Sequence, residues 1–113
     1  MGDQIKYPFG LADSKALTAT GAQALTIDDN LTVIDGVTVE ATANRTLNLT
    51  IDSELKAGAR LLVKTKSNGT ETTIFGTGIT SITVTGAAGK TFSQGFTYDG
   101  TVFLPDGTSV KID

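Results

Sequence analysis

Short runs of alternating apolar and polar residues recur along this 113-residue chain. The clearest run spans residues 46–52. Within it, Leu47, Leu49 and Ile51 fall on one face and polar residues fall on the other. A period of two is typical of a half-buried β-strand. Shorter apolar runs lie between residues 17 and 40, separated by Gly, Asp and Asn positions that favour turns. The pattern predicts an all-β domain of short strands.

The C-terminal part carries a strong hairpin signal at Asp99-Gly100. In a two-residue turn of this kind, Phe96 would lie opposite Phe103. The aromatic face of the hairpin would then consist of Phe92, Phe96, Tyr98 and Phe103. We expect the three phenylalanines to point into the core. Val102 and Leu104 occupy the other face, where we expect another strand or another subunit to cover them, which makes them a candidate subunit interface.

Two further dipeptides, Asn68-Gly69 and Asp35-Gly36, also favour hairpins. With Asn68-Gly69 as the turn, Val63 would lie opposite Ile74, so apolar residues would face one another across the pair. Antiparallel neighbours joined by tight turns are the simplest arrangement of such strands. We therefore predict a small antiparallel sandwich or barrel, similar to a jelly roll, with an extended N-terminal arm.

The N-terminal residues show a different pattern. Ile5, Tyr7, Phe9 and Leu11 alternate with other residues, and Pro8 biases Tyr7 towards an extended conformation. We predict an arm over residues 1–16 and one β domain over residues 17–113. The four alternating residues are candidate partner-binding residues. A disordered terminus is the alternative interpretation.

Composition narrows the function. The chain has no Cys and no His, so it lacks thiol nucleophiles, the commonest metal ligand and the usual base near neutral pH. The formal net charge is −3 and the basic residues are scattered, which argues against a nucleic-acid partner. No run approaches the ~18 apolar residues of a membrane-spanning helix, and no secretory leader is evident at the start. We therefore expect a protein made in the host cytoplasm that does not bind a membrane.

Two arrangements could carry chemistry. Ser53 and Lys56 match the S-x-x-K spacing of serine acyl enzymes, but the partner motifs of those enzymes are missing. Asp28, Asp29 and Asp35 could offer oxygen ligands to Ca²⁺, but they do not follow a calcium-loop pattern. A helix-capping or polar-turn role explains both. We predict no catalytic residues, no cofactor and no metal, and therefore no enzyme.

The second half of the chain resembles a known class of proteins. The order that carries the likeness is the strand Thr46-Leu47-Asn48-Leu49, the turn Ala57-Gly58-Ala59-Arg60, the strand Leu61-Leu62-Val63-Lys64, the segment Lys90-Thr91-Phe92 and the close Phe96-Thr97-Tyr98-Asp99-Gly100-Thr101. It is similar to the small β domains of tailed-bacteriophage virion proteins, which include capsid decoration (cement) proteins, head fibres and tail-fibre or baseplate modules.

The resemblance implies a structural role on the virion. A chain of this size fits a decoration protein that binds the major capsid protein, stabilises the head and lies on the capsid surface. It also implies a homo-oligomer, with a trimer favoured, and an N-terminal arm that clamps capsomers. One alternative is a head-fibre, tail-fibre or baseplate module. Another is a carbohydrate- or ligand-binding β module of a bacterial surface protein.

Overall fold

The computed structural model describes residues 13–80 and 82–112 of the chain, which form two packed β-sheets. The strands are β1 (Asp13–Ala16), β2 (Gly21–Ile27), β3 (Leu31–Ala41), β4 (Arg45–Ile51), β5 (Arg60–Ser67), β6 (Thr72–Phe75), β7 (Thr83–Thr85), β8 (Thr91–Tyr98), β9 (Phe103–Pro105) and β10 (Val110–Lys111). Sheet A has the order β1-β3-β5-β8-β10, and β9 also pairs with β8. Sheet B has the order β2-β4-β6-β7.

The first six strands alternate between the two sheets. In sheet A, β1, β3 and β5 are parallel neighbours, and in sheet B so are β2, β4 and β6. The chain therefore winds as successive coils, as in a short β-solenoid, because each coil contributes one strand to each sheet. The later strands β7, β8, β9 and β10 pair antiparallel and close the far end of the sandwich.

The core lies between the sheets and comes from the inward positions of both. Its fully buried apolar side chains include Leu17, Ile27, Ile34, Leu47, Leu61, Val63, Phe75, Phe96 and Phe103. The rings of Phe75 in sheet B and Phe96 in sheet A meet with centroids 4.9 Å apart. Such tilted aromatic pairs stabilise a core beyond their area of contact.

The all-β sandwich is confirmed, and the domain is not a closed barrel. The sheets, however, are mixed rather than purely antiparallel, because the chain crosses to the other sheet at most of its corners. This corrects two of the expected hairpins. Val63 and Ile74 lie in different sheets, and Asp35-Gly36 lies inside the continuous strand β3. Strand alternation alone does not reveal which sheet the next strand joins.

The Asp99-Gly100 hairpin forms, but its turn is longer than expected. Phe96 lies opposite Pro105, and Tyr98 lies opposite Phe103. The Asp99 carboxylate accepts hydrogen bonds from the backbone N–H groups of Val102 at 2.9 Å and Thr101 at 2.7 Å, which lower the pKa of Asp99. These bonds favour the wider turn. The shift of two residues keeps every side chain on its predicted face.

Strand β1 lies in the last part of the segment predicted as the arm. Its residues pair in parallel with β3, from Asp13 opposite Thr32 to Ala16 opposite Asp35. Residues 13–16 are thus part of sheet A, which the boundary at residue 16 did not foresee. The rest of the predicted arm lies outside the described residues.

Candidate functional site

The predicted site residues fall into two groups. Ile5, Tyr7, Phe9 and Leu11 lie outside the described residues, so their role in partner binding stays a prediction. The second group, Val102 and Leu104, lies at the β8–β9 end of sheet A. Val102 is half-buried in the turn, whereas Leu104 is 41% exposed.

Leu104 belongs to a larger apolar surface on the outside of sheet A. Leu104 pairs opposite the outward-facing Thr97, and Val110 pairs opposite Ser93. The side chains of Val110 and Ile112 are 58% and 52% exposed. We define face A as the outward aliphatic residues of sheet A, which are Val33, Leu62, Leu104, Val110 and Ile112. Exposed aliphatic residues gathered on one face are typical of an interaction surface.

Face A also carries charge. The Arg60 guanidinium pairs with the Asp106 carboxylate at 2.9 Å, and the Thr97 hydroxyl donates to that same carboxylate at 2.8 Å. Lys64 lies near the middle of the sheet, opposite Asp35 in β3 and Ser93 in β8. Among the described residues, the Lys64 ammonium has no hydrogen-bonding or ionic partner. It therefore remains available to an acidic group on another molecule.

Asp35 does not neutralise Lys64 because its carboxylate binds its own strand. It accepts hydrogen bonds from the Thr38 hydroxyl at 2.6 Å and from the backbone N–H groups of Thr38 at 3.0 Å and Val37 at 2.8 Å. In that order, these bonds hold the pKa of Asp35 below its ordinary value of 3.8. The pairing of β3 with β5 becomes irregular immediately after Gly36. Asp35 thus caps the start of this irregular stretch.

A groove of about 440 Å³ opens on the same side of sheet A. Val33, Val37 and Ile112 supply its apolar walls, and Asp35 and Lys64 lie at its polar side. The groove extends face A towards the edge formed by β1, because Ser14 also lines it. An apolar floor with a free cation suits a protein surface that combines aliphatic and acidic side chains.

The outer face of sheet B has a different chemistry. We define face B as its outward residues, which are Ala22, Ala24, Thr26, Thr46, Asn48, Thr50, Ile74, Thr83 and Thr85. None of them is charged. The Asn48 carboxamide oxygen accepts the Thr77 N–H at 3.1 Å, so even this side chain is used within the fold. Face B contributes none of the large exposed hydrophobic residues. The two faces therefore offer different surfaces to a partner.

The sequence analysis missed Arg45, the largest fully buried side chain among the described residues. Its Nη1 donates to the carbonyl oxygens of Thr18 at 3.2 Å and Val39 at 2.9 Å. Its Nη2 donates to those of Gly36 at 2.9 Å and Lys66 at 3.3 Å. These carbonyls belong to three successive coils, so one guanidinium joins all of them.

Arg45 is a structural residue rather than a reactive one. Burial lowers its pKa, and the nearby Asp35 carboxylate opposes that shift. The side chain is sealed from solvent, so no substrate can reach it. One signal in the sequence could have identified it: Arg45 has the same parity as Leu47, Leu49 and Ile51, which places it on the inward face of the same strand.

Other candidate chemistry stays dispersed. Ser53 and Lys56 are both exposed in the turn between β4 and β5. Across residues 13–80 and 82–112, no three His, Cys, Asp or Glu side chains gather closely enough to hold a metal ion. The same residues contain no helix that could span a membrane. What the structure offers for function is therefore the pair of outer faces.

Comparisons with known proteins add no assignment. No protein-family model matches the chain, and no curated protein matches it. The likeness to virion proteins therefore rests on the sequence features given above.

Proposed function

We propose that this chain is a non-enzymatic structural protein of a tailed-bacteriophage virion, a capsid decoration protein that binds the major capsid protein through face A. The observation that carries the proposal is the contrast between the two outer faces. Face A combines exposed Leu104, Val110 and Ile112 with the free Lys64 ammonium. Face B is uncharged and rich in threonine. A protein that docks on one side and faces water on the other needs such an asymmetry.

The chemistry of face A fits a protein partner. Aliphatic side chains supply the area to be removed from water, at roughly 25 cal/mol per Å². Around them, the Arg60–Asp106 pair and Lys64 form a polar margin that sets orientation. On this proposal, the capsid surface presents aliphatic residues next to at least one carboxylate. The chain assembles as a homo-oligomer on the virion, and a trimer is the form that the resemblance favours.

The carbohydrate-binding alternative finds less support. Modules that bind sugars commonly present an exposed aromatic ring to the ligand. Here Tyr98 is 7% exposed, Phe75, Phe96 and Phe103 are fully buried, and Phe92 is half-buried against the core. No described residue offers an aromatic platform.

A binding experiment tests the proposal. Purified capsids of the phage that encodes the chain, stripped of decoration, are mixed with the tagged protein and sedimented. The proposal expects saturable co-sedimentation, with one bound oligomer per repeating capsid site. Absence of binding to capsids, together with a reproducible hit on a glycan array, would replace it with the carbohydrate-binding alternative. Light scattering on the free protein measures the oligomer.

A further inference from the structure

Strand β2 forms an open edge of sheet B. Among the described residues, β2 pairs with β4 alone. The Gly21 N–H donates to the Asn44 carbonyl at 3.1 Å, and the Ile27 carbonyl accepts the Asp52 N–H at 2.9 Å. Backbone groups of successive residues in a strand point to opposite sides. The N–H and C=O groups of Ala22, Ala24 and Thr26 therefore point away from β4.

This edge lacks the features that protect edges elsewhere. Natural edge strands are short, charged or interrupted by proline, because unpaired backbone groups attract other strands. Strand β2 is seven residues long and contains neither a charged residue nor a proline. The other sheet edges are shorter: β1 has four residues, β7 has three and β10 has two. Strand β2 is thus the edge that most needs a partner.

We propose that residues 3–9 of the same chain pair with β2 as a parallel strand and complete sheet B. The chain leads naturally to this position. Strand β1 starts at Asp13, on the same end of the sandwich as β2. Three residues connect β2 to β3, and three residues, 10–12, separate Phe9 from β1. The added strand and β1 would then repeat the coil that β2 and β3 form.

The side-chain pattern selects one register. Parallel neighbours share a face, and the inward residues of β2 are Gln23, half-buried Leu25 and Ile27. Placing Ile5, Tyr7 and Phe9 beside them extends the core by one layer. The added strand would bury aromatic and aliphatic area above Leu25. Lys6 would lie beside Ala24 on the outside, where its charge protects the new edge.

Proline supports the same register independently. In it, the Thr26 N–H donates to the Tyr7 carbonyl, and the Phe9 N–H donates to the Thr26 carbonyl. The backbone nitrogen of Pro8, which carries no hydrogen, points away from β2, where its lack of a donor costs nothing. A shift by one residue would bury Lys6 and aim Pro8 at β2 without an N–H. The arm thus has a docking site on its own domain, which competes with its expected role as a clamp on capsomers.

Amide hydrogen exchange measured by NMR on the full chain tests the pairing. The inference expects the Ala24 and Thr26 amides to be protected about 100-fold or more. Deletion of residues 1–9 should remove that protection. The Gln23 and Leu25 amides point to β4 and serve as internal controls that stay protected in both proteins. Fast exchange at Ala24 and Thr26 in the full chain would overturn the inference, whatever the deletion variant does.

A crosslink separates pairing within one chain from exchange between chains. The protein has no cysteine, so the double variant Lys6→Cys/Ala24→Cys has no background thiols. Directly opposed residues in neighbouring strands lie within disulfide range. The inference expects an internally crosslinked monomer on a denaturing gel, and no crosslink for the control Lys6→Cys/Thr83→Cys, which joins opposite edges of sheet B. A covalent dimer, or no crosslink in the test pair, would overturn it.

Discussion

The Arg45 Nη2 atom lies 2.9 Å from the carbonyl oxygen of Gly36, in the buried space where three coils of the chain meet. The missing side chain of Gly36 makes room for this approach, since a Cβ there would lie 3.0 Å from Nη2 and 2.8 Å from the Lys64 carbonyl oxygen. Together, the glycine and the arginine let one cation bind carbonyls that would otherwise be buried without donors. They hold together the coils that carry both faces.

Replacing Arg45 with Met should destabilise the protein by about 3–5 kcal/mol, because it leaves buried carbonyls without hydrogen bonds. Arg60→Met is the matched control. The Arg60 side chain is mostly exposed and pairs only with Asp106, so its loss should cost less than about 1 kcal/mol. Urea unfolding followed by circular dichroism measures both. Equal costs would show that the buried network contributes nothing particular.

Replacing Gly36 with Ala should destabilise the fold by about 1–3 kcal/mol, because the new methyl group overpacks against backbone and the Arg45 guanidinium. Gly69→Ala is the control. A Cβ at Gly69 would meet only the movable end of the Glu71 side chain, at 3.1 Å. We expect a change within about 0.5 kcal/mol there. If thermal melts rank the two variants the other way, the account of Gly36 is wrong.

Replacing Phe96 with Ala should cost about 3–5 kcal/mol, as for other large core truncations. Phe96 is fully buried and contacts the Phe75 ring of the opposite sheet. Phe92→Ala, at a half-buried position of the same strand, should cost less. A loss below about 1 kcal/mol for Phe96→Ala in denaturant melts would place the hairpin at the periphery of the fold.

Stability should depend on pH through Asp35. Its pKa is lower in the folded protein than the ordinary value of 3.8, so the folded state favours the ionised form. The contribution is present above pH 3.8 and is lost as the pH falls through the folded pKa. Asp35→Asn should therefore destabilise the protein at pH 7, and its difference from the natural protein should shrink below pH 3.8. Asp28→Asn controls for the loss of one carboxylate. A difference that is constant from pH 7 to pH 2 would contradict the assignment.

Side-chain faces were predictable from the sequence, whereas strand partners were not. Leu47, Leu49, Phe96 and Phe103 are buried as their alternation indicates, because a period of two determines which face each residue takes. The same period is consistent with parallel and antiparallel neighbours. Nothing local to Asn68-Gly69 shows that the chain crosses there from sheet A to sheet B.

The candidate site was predictable only in part. Leu104 is identifiable from the hairpin, because it alternates with buried Phe103. Val110 and Ile112 join it only once β10 pairs with β8. Lys64 gains its place from the register with Asp35, and from the fact that the Asp35 carboxylate binds Thr38 instead. These relationships depend on contacts between residues far apart in the sequence.

Capsid binding by two matched variants tests the central claim most directly. Leu104→Glu adds a charge to face A, and Thr50→Glu adds the same charge to face B, both at exposed positions. We predict that Leu104→Glu weakens co-sedimentation with capsids by tenfold or more, about 1.4 kcal/mol, with the mass in solution unchanged, and that Thr50→Glu binds as the natural protein does. A lower mass for Leu104→Glu would place Leu104 between subunits instead. Full binding by Leu104→Glu with loss in Thr50→Glu would contradict the account.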